Sequence, residues 1–347
     1  MVTESINVER SPSMYDVARL AGVSHQTVSR VVNGAIGVAP GTAQRVLLAI
    51  DQLGYRRNSA ARALATNRSH TIGVVLVNGH LYGPASTLLG IERSARNLGF
   101  WVSVASLATA NPTEMAGAID HFRGQGVEGL AVIAPTGESL EATIRATSKI
   151  PLVAVTSGRV GQAGMATVAI DQVTGAHAAV THLIDLGHTN IAHLAGPLDE
   201  FEAQARMTTW ADTLDQTGHP PGPLAVGAWQ ADPGYAEACR LLDQPNRPTA
   251  IFAANDQMAV GVLRAAHQLG LAVPTDLSVV GFDNQPGSSQ LIPPLTTVHQ
   301  DFTLLGEATI EALTCLIEGQ PVTGELIQPQ LIVRSSTAVP STASIRR

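Results

Sequence analysis

Residues 15–34, YDVARLAGVSHQTVSRVVNG, decide how the first part of this chain folds. Val17, Ala18 and Ala21 recur at helical spacing after Ser13, a good N-cap, and the run stops at Gly22; this predicts a short helix over 14–21. Ser24 caps a second helix that runs to about Val32, so two short helices are joined by the tight turn AGVS. Val17, Ala18, Ala21, Val23, Val28 and Val32 can supply a small shared core. That leaves His25, Gln26, Thr27, Ser29 and Arg30 on the exposed start and flank of the second helix. The layout is that of a helix-turn-helix. Such a helix enters the major groove of DNA by its N-terminal end, where polar side chains meet base edges and backbone amides can meet phosphates. Gln26 suits adenine and Arg30 suits guanine, because each can pair two hydrogen bonds with the edge it faces.

A third helix follows, with Pro40 at its first position, Val46, Leu47, Ile50 and Leu53 on one face, and Gly54 at its end. It closes a small all-α head, residues 1–57. Beyond it, residues 58–66 read NSAARALAT, rich in Ala, with Asn58 at the N-cap position and neither Gly nor Pro inside. Isolated helices shorter than roughly 12 to 15 residues are marginal in water. This segment, taken as a hinge over 58–68, is therefore either a helix that forms only when something holds it or a linker that is merely helix-prone. Residues 1–68 carry eight Arg and no Lys against four Asp plus Glu, a balance of +4; the whole chain is at −7, so the remainder totals −11. A basic head on an acidic body points to a polyanion partner for the head alone, against the plainer reading of a solvated basic face.

At 347 residues, 45% hydrophobic and 14% charged, the chain is expected to fold as two or three globular domains with large cores. Its longest apolar runs, such as 72–77 and 129–134, are too short to span a bilayer, and residues 1–12 are polar and mixed in charge. Neither a membrane span nor a signal peptide is expected, and the location that follows is cytoplasmic. Cys239 and Cys315 show no metal-type spacing and read as reduced thiols in helices.

From Thr71 onward short apolar runs alternate with helical patterns. TIGVVLV, WVSVASL, GLAVIA and PLVAV read as strands, with helices near 84–98, 112–124 and 138–148; NIAHLAG, PLAVGAW, TAIFAAN and DLSVVGF form a second series, with helices near 202–217, 233–243 and 256–269. Alternation of this kind predicts two doubly wound parallel sheets, hence two lobes with a cleft at the carboxyl ends of their strands. Asn255-Asp256 and Asp283-Asn284 each follow a strand directly, where side chains point into such a cleft, and Arg206 begins a helix turn after AGPLDEFEA. Arg, Asn and Asp together satisfy vicinal hydroxyls of a sugar, and Trp229 can pack on its apolar ring face. On spacing alone, the favoured reading is the plainer one, in which Asn255 and Asp283 are strand-end caps and Trp229 is core.

The stretch quoted first, together with LGYRRNSAARALAT at 53–66, resembles the lactose-repressor (LacI/GalR) family of bacterial transcription regulators over about sixty residues. The resemblance implies an N-terminal all-α helix-turn-helix head with a hinge helix, then an α/β two-lobed body like the periplasmic sugar-binding proteins, crossed three times by the chain. Its body would span 69–338, one lobe about 70–169 and 302–329 and the other about 170–298 and 330–338, with a disordered Ser/Thr/Pro-rich tail at 339–347. In this family the hinge folds on operator DNA and a leucine, Leu64 here, wedges into the minor groove at the dimer axis, unstacking being offset by contact with bent DNA. By the same resemblance His25, Gln26 and Arg30 are the base readers; Tyr15, Ser24, Thr27, Ser29 and Asn33 position the backbone, and Asn58 joins the DNA-contacting set. Two positions depart from the pattern: Ala39 stands where a better cap is usual, and Arg56-Arg57 replaces an apolar-Pro pair before the hinge.

In the body, ANDQMAVG, VVGFDNQ and IPPLTTVHQDF match the family, so ligand-binding roles carry over to Arg206, Trp229, Asn255, Asp283 and Gln300, and Pro84 in LYGPAS also matches. Apolar Val77 and Ile133 stand where the pattern is polar, and Glu202 replaces a small hydroxyl residue; it would either accept further hydroxyl protons or point to solvent. The implied protein is a homodimeric repressor of double-stranded operator DNA, released by a small sugar resembling a galactoside. A purine-type regulator that tightens on DNA with its ligand is the alternative, and a transport-type sugar-binding protein is disfavoured by the head. No leucine heptads follow the body, which favours a dimer over a tetramer. His177, His182, His188 and His193 lack the spacing of a zinc site, and Gly158, Gly161 and Gly164 read as a flexible loop, not a phosphate cradle. With no nucleophile paired to a base in sequence, neither an enzyme nor a cofactor is expected.

Overall fold

A computed structural model describes residues 12–34, 37–56, 68–109, 111–146, 150–157 and 166–341. Asn58 and Leu64, the hinge residues singled out above, lie outside the described residues, as do Gly158, Gly161 and Gly164. The chain divides into two compact units, residues 1–69 and 70–347.

In the first unit α1 (Met14–Ala21), α2 (His25–Val32) and α3 (Pro40–Leu53) form the head. Asp16 accepts the Ser13 N–H at 2.9 Å, closing the start of α1, and Gly22 ends it at φ +65, a left-handed turn that costs glycine nothing. Val17, Ala18, Ala21, Val28, Val46, Ala49 and Tyr55 make the core, with Val23, Val32, Ile50 and Leu53 packed against it. Leu47 is 56% exposed, contrary to its expected place on the inner face of α3. Positions 46, 49, 50 and 53 form one helical stripe, and 47 lies about 100° round from 46, so Ala49 takes the inward place.

The second unit contains two six-stranded sheets. The first has the order β11-β5-β4-β3-β1-β2, built from β1 (Thr71–Val77), β2 (Trp101–Leu107), β3 (Gly129–Ile133), β4 (Leu152–Val155), β5 (Ala166–Ile170) and β11 (Glu325–Ile327), all parallel. The second has the order β12-β10-β9-β8-β6-β7, built from β6 (Ile191–Ala195), β7 (Leu224–Val226), β8 (Ala250–Ala253), β9 (Ser278–Asp283), β10 (Thr296–His299) and β12 (Gln330–Ile332); only β12 runs antiparallel to its neighbour. Inner strands such as β3 and β8 are buried along their whole length, as parallel strands covered on both faces must be.

Helices α4 (Tyr82–Asn97), α5 (Pro112–Gln125), α6 (Gly137–Ala146) and α11 (Phe302–Ile317) belong to the first lobe; α7 (Gln172–Asp185), α8 (Phe201–Gln216), α9 (Ala231–Leu242) and α10 (Asp256–Gln268) belong to the second. The chain therefore passes between lobes three times, at Ile170–Gln172, His299–Phe302 and Ile327–Gln330. Strands β5, β10, β11 and β12 and helices α7 and α11 lie outside the runs singled out from sequence; β11 and β12 have three residues each, too few to show a period. The run PLAVGAW is strand only over Leu224–Val226, so Trp229 leaves the sheet and turns toward the cleft.

Candidate functional sites: the head surface and the interlobe cleft

On the head, Gln26, Arg30 and Asn33 lie exposed along one side of α2, at the spacing of successive helical turns. The ring of His25 stacks on Tyr15 with centroids 4.6 Å apart. Ser24 accepts the Thr27 N–H at 3.2 Å and shares a hydrogen bond with its hydroxyl, and Asn33 donates to Ser29. Of the ten residues expected at DNA, eight are thus gathered on and around α2, and Asn58 and Leu64 are not described.

In the body, a cavity of about 530 Å³ opens at the carboxyl ends of both sheets. Pro84, Arg206, Trp229, Asn255, Asp283 and Gln300 all line it, as do Val77, Ile133 and Glu202. This is where a doubly wound fold leaves room for a ligand, because helices cover the sheet faces but not the strand ends. The first lobe contributes the apolar side chains Val77, Leu81, Ile133 and Phe302 together with polar ones such as Asn78, Tyr82 and Thr156, and the second contributes the buried charged pair Arg206 and Asp283.

Arg206 is the centre of the polar wall and is only 3% exposed. Its Nε donates to Gln172 Oε1 at 2.9 Å and its Nη1 to the Ala254 carbonyl, while Nη2 has no hydrogen-bond partner among the described residues. The guanidinium lies over the Phe282 ring, 3.8 Å from its centroid, and 5.5 Å from that of Trp229. Gln172 passes the contact on, donating to Gln300 Oε1 at 2.9 Å, and Gln300 donates to Asp283 at 2.6 Å. Gln172 and Gln300 stand on two of the three crossings between lobes, so this line of hydrogen bonds joins the cavity wall to the hinges of the body.

Asn255 combines two tasks: its Oδ1 caps α10 by accepting the Met258 N–H at 2.8 Å, and its Nδ2 donates to the Trp229 carbonyl at 3.0 Å. Trp229 is buried against Gly196, where a Cβ would fall 2.5 Å from the ring. Its indole N–H donates to Glu200 at 2.8 Å. The cap and core readings of Asn255 and Trp229 therefore hold alongside their place on the cavity wall.

Burial dominates the electrostatics. It pushes the Asp283 carboxyl up to about 7, with Arg206 pulling the other way and Asp256 adding to the rise. Glu200 is also pushed up to about 7, again by burial, against the Trp229 hydrogen bond and with Glu202 and Asp199 adding repulsion. Glu202 is raised by burial too: it lines the cavity, not the outer surface, and accepts hydrogen bonds from Ser157 of the first lobe. Asp283 and Asn284 take φ of +103 and +50, a left-handed bend just where β9 delivers its side chains to the cavity. Acceptors and donors placed close together and away from bulk water suit a polyhydroxyl ligand, since any hydroxyl missing from it would leave one of them unpaired.

Sequence reasoning missed Gln172, Glu200 and Gln285. Each directly follows or closely trails a strand end, the same signal that found Asn255; Gln285 even closes the matching stretch VVGFDNQ, whereas Gln172 and Glu200 lie outside the matching stretches. Among the described residues no group of three or more His, Cys, Asp or Glu could hold a metal ion, and no helix is long and apolar enough to cross a membrane. Each of the four histidines considered for a metal has a hydrogen-bond partner in the fold, such as Thr213 for His177 and Thr249 for His188.

Residues 13–58 match the family described as bacterial regulatory proteins, lacI family, and residues 180–337 match the periplasmic binding protein-like domain. The chain is 36% identical to the lactose operon repressor of Escherichia coli K12 over 332 residues, covering 95% of this chain and 92% of that protein. It is 33% identical to the HTH-type transcriptional repressor PurR of Glaesserella parasuis, covering 92% of this chain and 97% of that protein. Among solved structures, the lac repressor dimer bound to operator and the anti-inducer ONPF superposes with a TM-score of 0.89 at 35% identity, covering 95% of this chain and all of that one. With a helix-turn-helix head, a two-lobed body and this likeness along nearly its whole length, the chain belongs to the lacI family of bacterial regulatory proteins, DNA-binding repressors that respond to a small effector.

Proposed function

We propose that this repressor works as a homodimer on a near-palindromic operator and is released from it by a small sugar, a galactoside or a close analogue, held between the two lobes. The observation that carries the sugar is the cavity wall on which Arg206, Asn255, Asp283 and Gln300 converge beside the Trp229 ring. Two-fold symmetry matches two half-sites, and joining two weakly basic heads raises affinity through effective concentration. Gln26 and Arg30 read bases, with His25 beside them, and Tyr15, Ser24, Thr27, Ser29 and Asn33 fix the register on the backbone. Leu64 enters the minor groove from a hinge helix that forms on DNA. Sugar in the cleft favours a lobe arrangement in which the two hinge segments no longer lie together, so the marginal helices melt and the operator is let go. The coupling is reciprocal: operator weakens sugar binding by the same factor by which sugar weakens operator binding.

Fluorescence anisotropy of the purified protein on DNA from its own upstream region, at one fixed salt concentration and with a panel of sugars and purines, tests this. Release by a galactoside supports the inducible repressor together with the cleft. Tightening by a purine reverses the sign of the switch and favours the behaviour suggested by the PurR likeness. No specific DNA binding at all sinks the assignment of His25, Gln26 and Arg30.

A further inference from the structure

The cleft is bridged by three consecutive residues of the second lobe. Glu200 forms an isolated antiparallel bridge with Thr136 of the first lobe. The Phe201 N–H donates to the Pro135 carbonyl at 2.9 Å. The Glu202 carboxylate accepts from the hydroxyl and N–H of Ser157. A short stretch thus clasps one lobe to the other at the rim of the cavity, apart from the three places where the chain itself crosses.

The side chain of Glu200 serves the cavity instead: it accepts the Trp229 indole N–H at 2.8 Å. Gly196 lies directly behind that indole, where a Cβ would fall 2.5 Å from the ring, and Asn255 holds the backbone carbonyl of Trp229. A ring so confined has little room to shift unless Glu200 shifts with it. We infer that Glu200 is a positioning residue that ties Trp229, the surface on which an effector packs, to the clasp between the lobes at Thr136 and Pro135. Backbone and side chain of one residue carry the link, so no longer relay of packed groups is needed between cavity and lobe contact. The inference rests on the reading of Trp229 as part of the effector site.

Hydrogen–deuterium exchange on the full chain without ligand tests the link at residues 134–138 and 200–204. Glu200→Ala, and Trp229→Phe, which keeps a ring but loses the N–H, each raise exchange in both segments about tenfold. Glu200→Gln keeps an oxygen to accept the indole N–H and stays within about twofold of the unaltered protein. Unchanged exchange in Glu200→Ala and Trp229→Phe overturns the inference, as does equal loosening in Glu200→Gln or loosening spread evenly over the whole body. Methyl β-D-galactopyranoside added to the unaltered protein separates the two readings. A change in tryptophan emission with no change at 134–138 overturns the link alone. No response of either signal, with the variants behaving as expected, overturns the galactoside reading and leaves the link standing.

Discussion

Asp283→Asn should make this protein more stable and less responsive at once. Asp283 is 6% exposed and accepts hydrogen bonds from Gln300 at 2.6 Å and Gln285 at 3.2 Å. Burial lifts its carboxyl from 3.8 to about 7 in the folded chain, despite the pull of Arg206. A folded value above the unfolded one means stability that is fully present below the unfolded value and is lost as pH rises through the folded one. Integrating the linkage at ~1.4 kcal/mol per pH unit between those two values, the contribution of Asp283 falls by about 2 to 3 kcal/mol from pH 5 to pH 8. Asparagine does not titrate, and it exchanges one acceptor oxygen for an NH₂ group that faces another donor, a loss of about 1 kcal/mol at every pH. The variant should therefore be more stable than the unaltered protein by about 3 kcal/mol at pH 8 and by less than about 1 kcal/mol at pH 5. Urea unfolding followed by circular dichroism at several values across this range measures the difference directly, and Glu200, which titrates in the same window, cancels in the comparison. A difference that stays constant with pH would mean that Asp283 is ionised throughout and balanced by Arg206, and the argument from burial would fail. In anisotropy, the same variant should lose sugar-driven release, because an acceptor for two hydroxyls has become half a donor.

Arg206→Ala should abolish the response to sugar while leaving ligand-free operator affinity nearly intact; it should also lower the melting temperature, since the Ala254 carbonyl and Gln172 lose a buried donor at a cost of about 3 kcal/mol. Loss of operator affinity in the same variant would make Arg206 a structural residue. Arg30→Ala should cost about 1 to 3 kcal/mol on the operator and relax the base preference at one position of a randomised site, whereas uniform weakening would mark a phosphate contact. His193 is buried with Nε2 unpartnered among the described residues, and burial lowers it to about 4, with a hydrogen bond to the Phe252 carbonyl opposing. Its neutral form therefore stabilises the fold above about 6.5 and that stability is lost as pH falls toward 4, at ~1.4 kcal/mol per pH unit, so His193→Phe should flatten the acid limb of the unfolding curve. Gly306→Ala should destabilise the first lobe by about 3 kcal/mol, because its Cβ would fall 2.2 Å from the Gly90 carbonyl carbon where α4 and α11 touch; melting within a degree of the unaltered protein would refute that close approach.

Much of the cavity wall was legible because side chains at the carboxyl end of a parallel strand have few places to go. Asn255 and Asp283 were found by that rule, and Arg206 by its place one helical turn beyond a strand and loop. Gln172 and Glu200 obey the same rule and escaped, because a lone Gln or Glu after a strand is also what a solvated loop looks like. Only the pairing of Gln172 with Arg206 and Gln300, and of Glu200 with Trp229, gives them a task. The placement of Leu47 failed for a smaller reason: an apolar residue beside the stripe reads as part of it until Ala49 takes the space.

What the chain alone determines here are the features whose free energy is local. Ser24 caps α2, Gly22 and Gly54 end α1 and α3, and Val-rich runs between helical patterns announce covered parallel strands, all within a few residues of chain. The two lobes' sheet order, the clasp of Glu200 to Thr136 and the raised carboxyls of Glu200 and Asp283 belong to the tertiary structure. They join residues far apart in sequence, and their energies come from loop closure and from the loss of water around charge, neither of which a short window of residues contains.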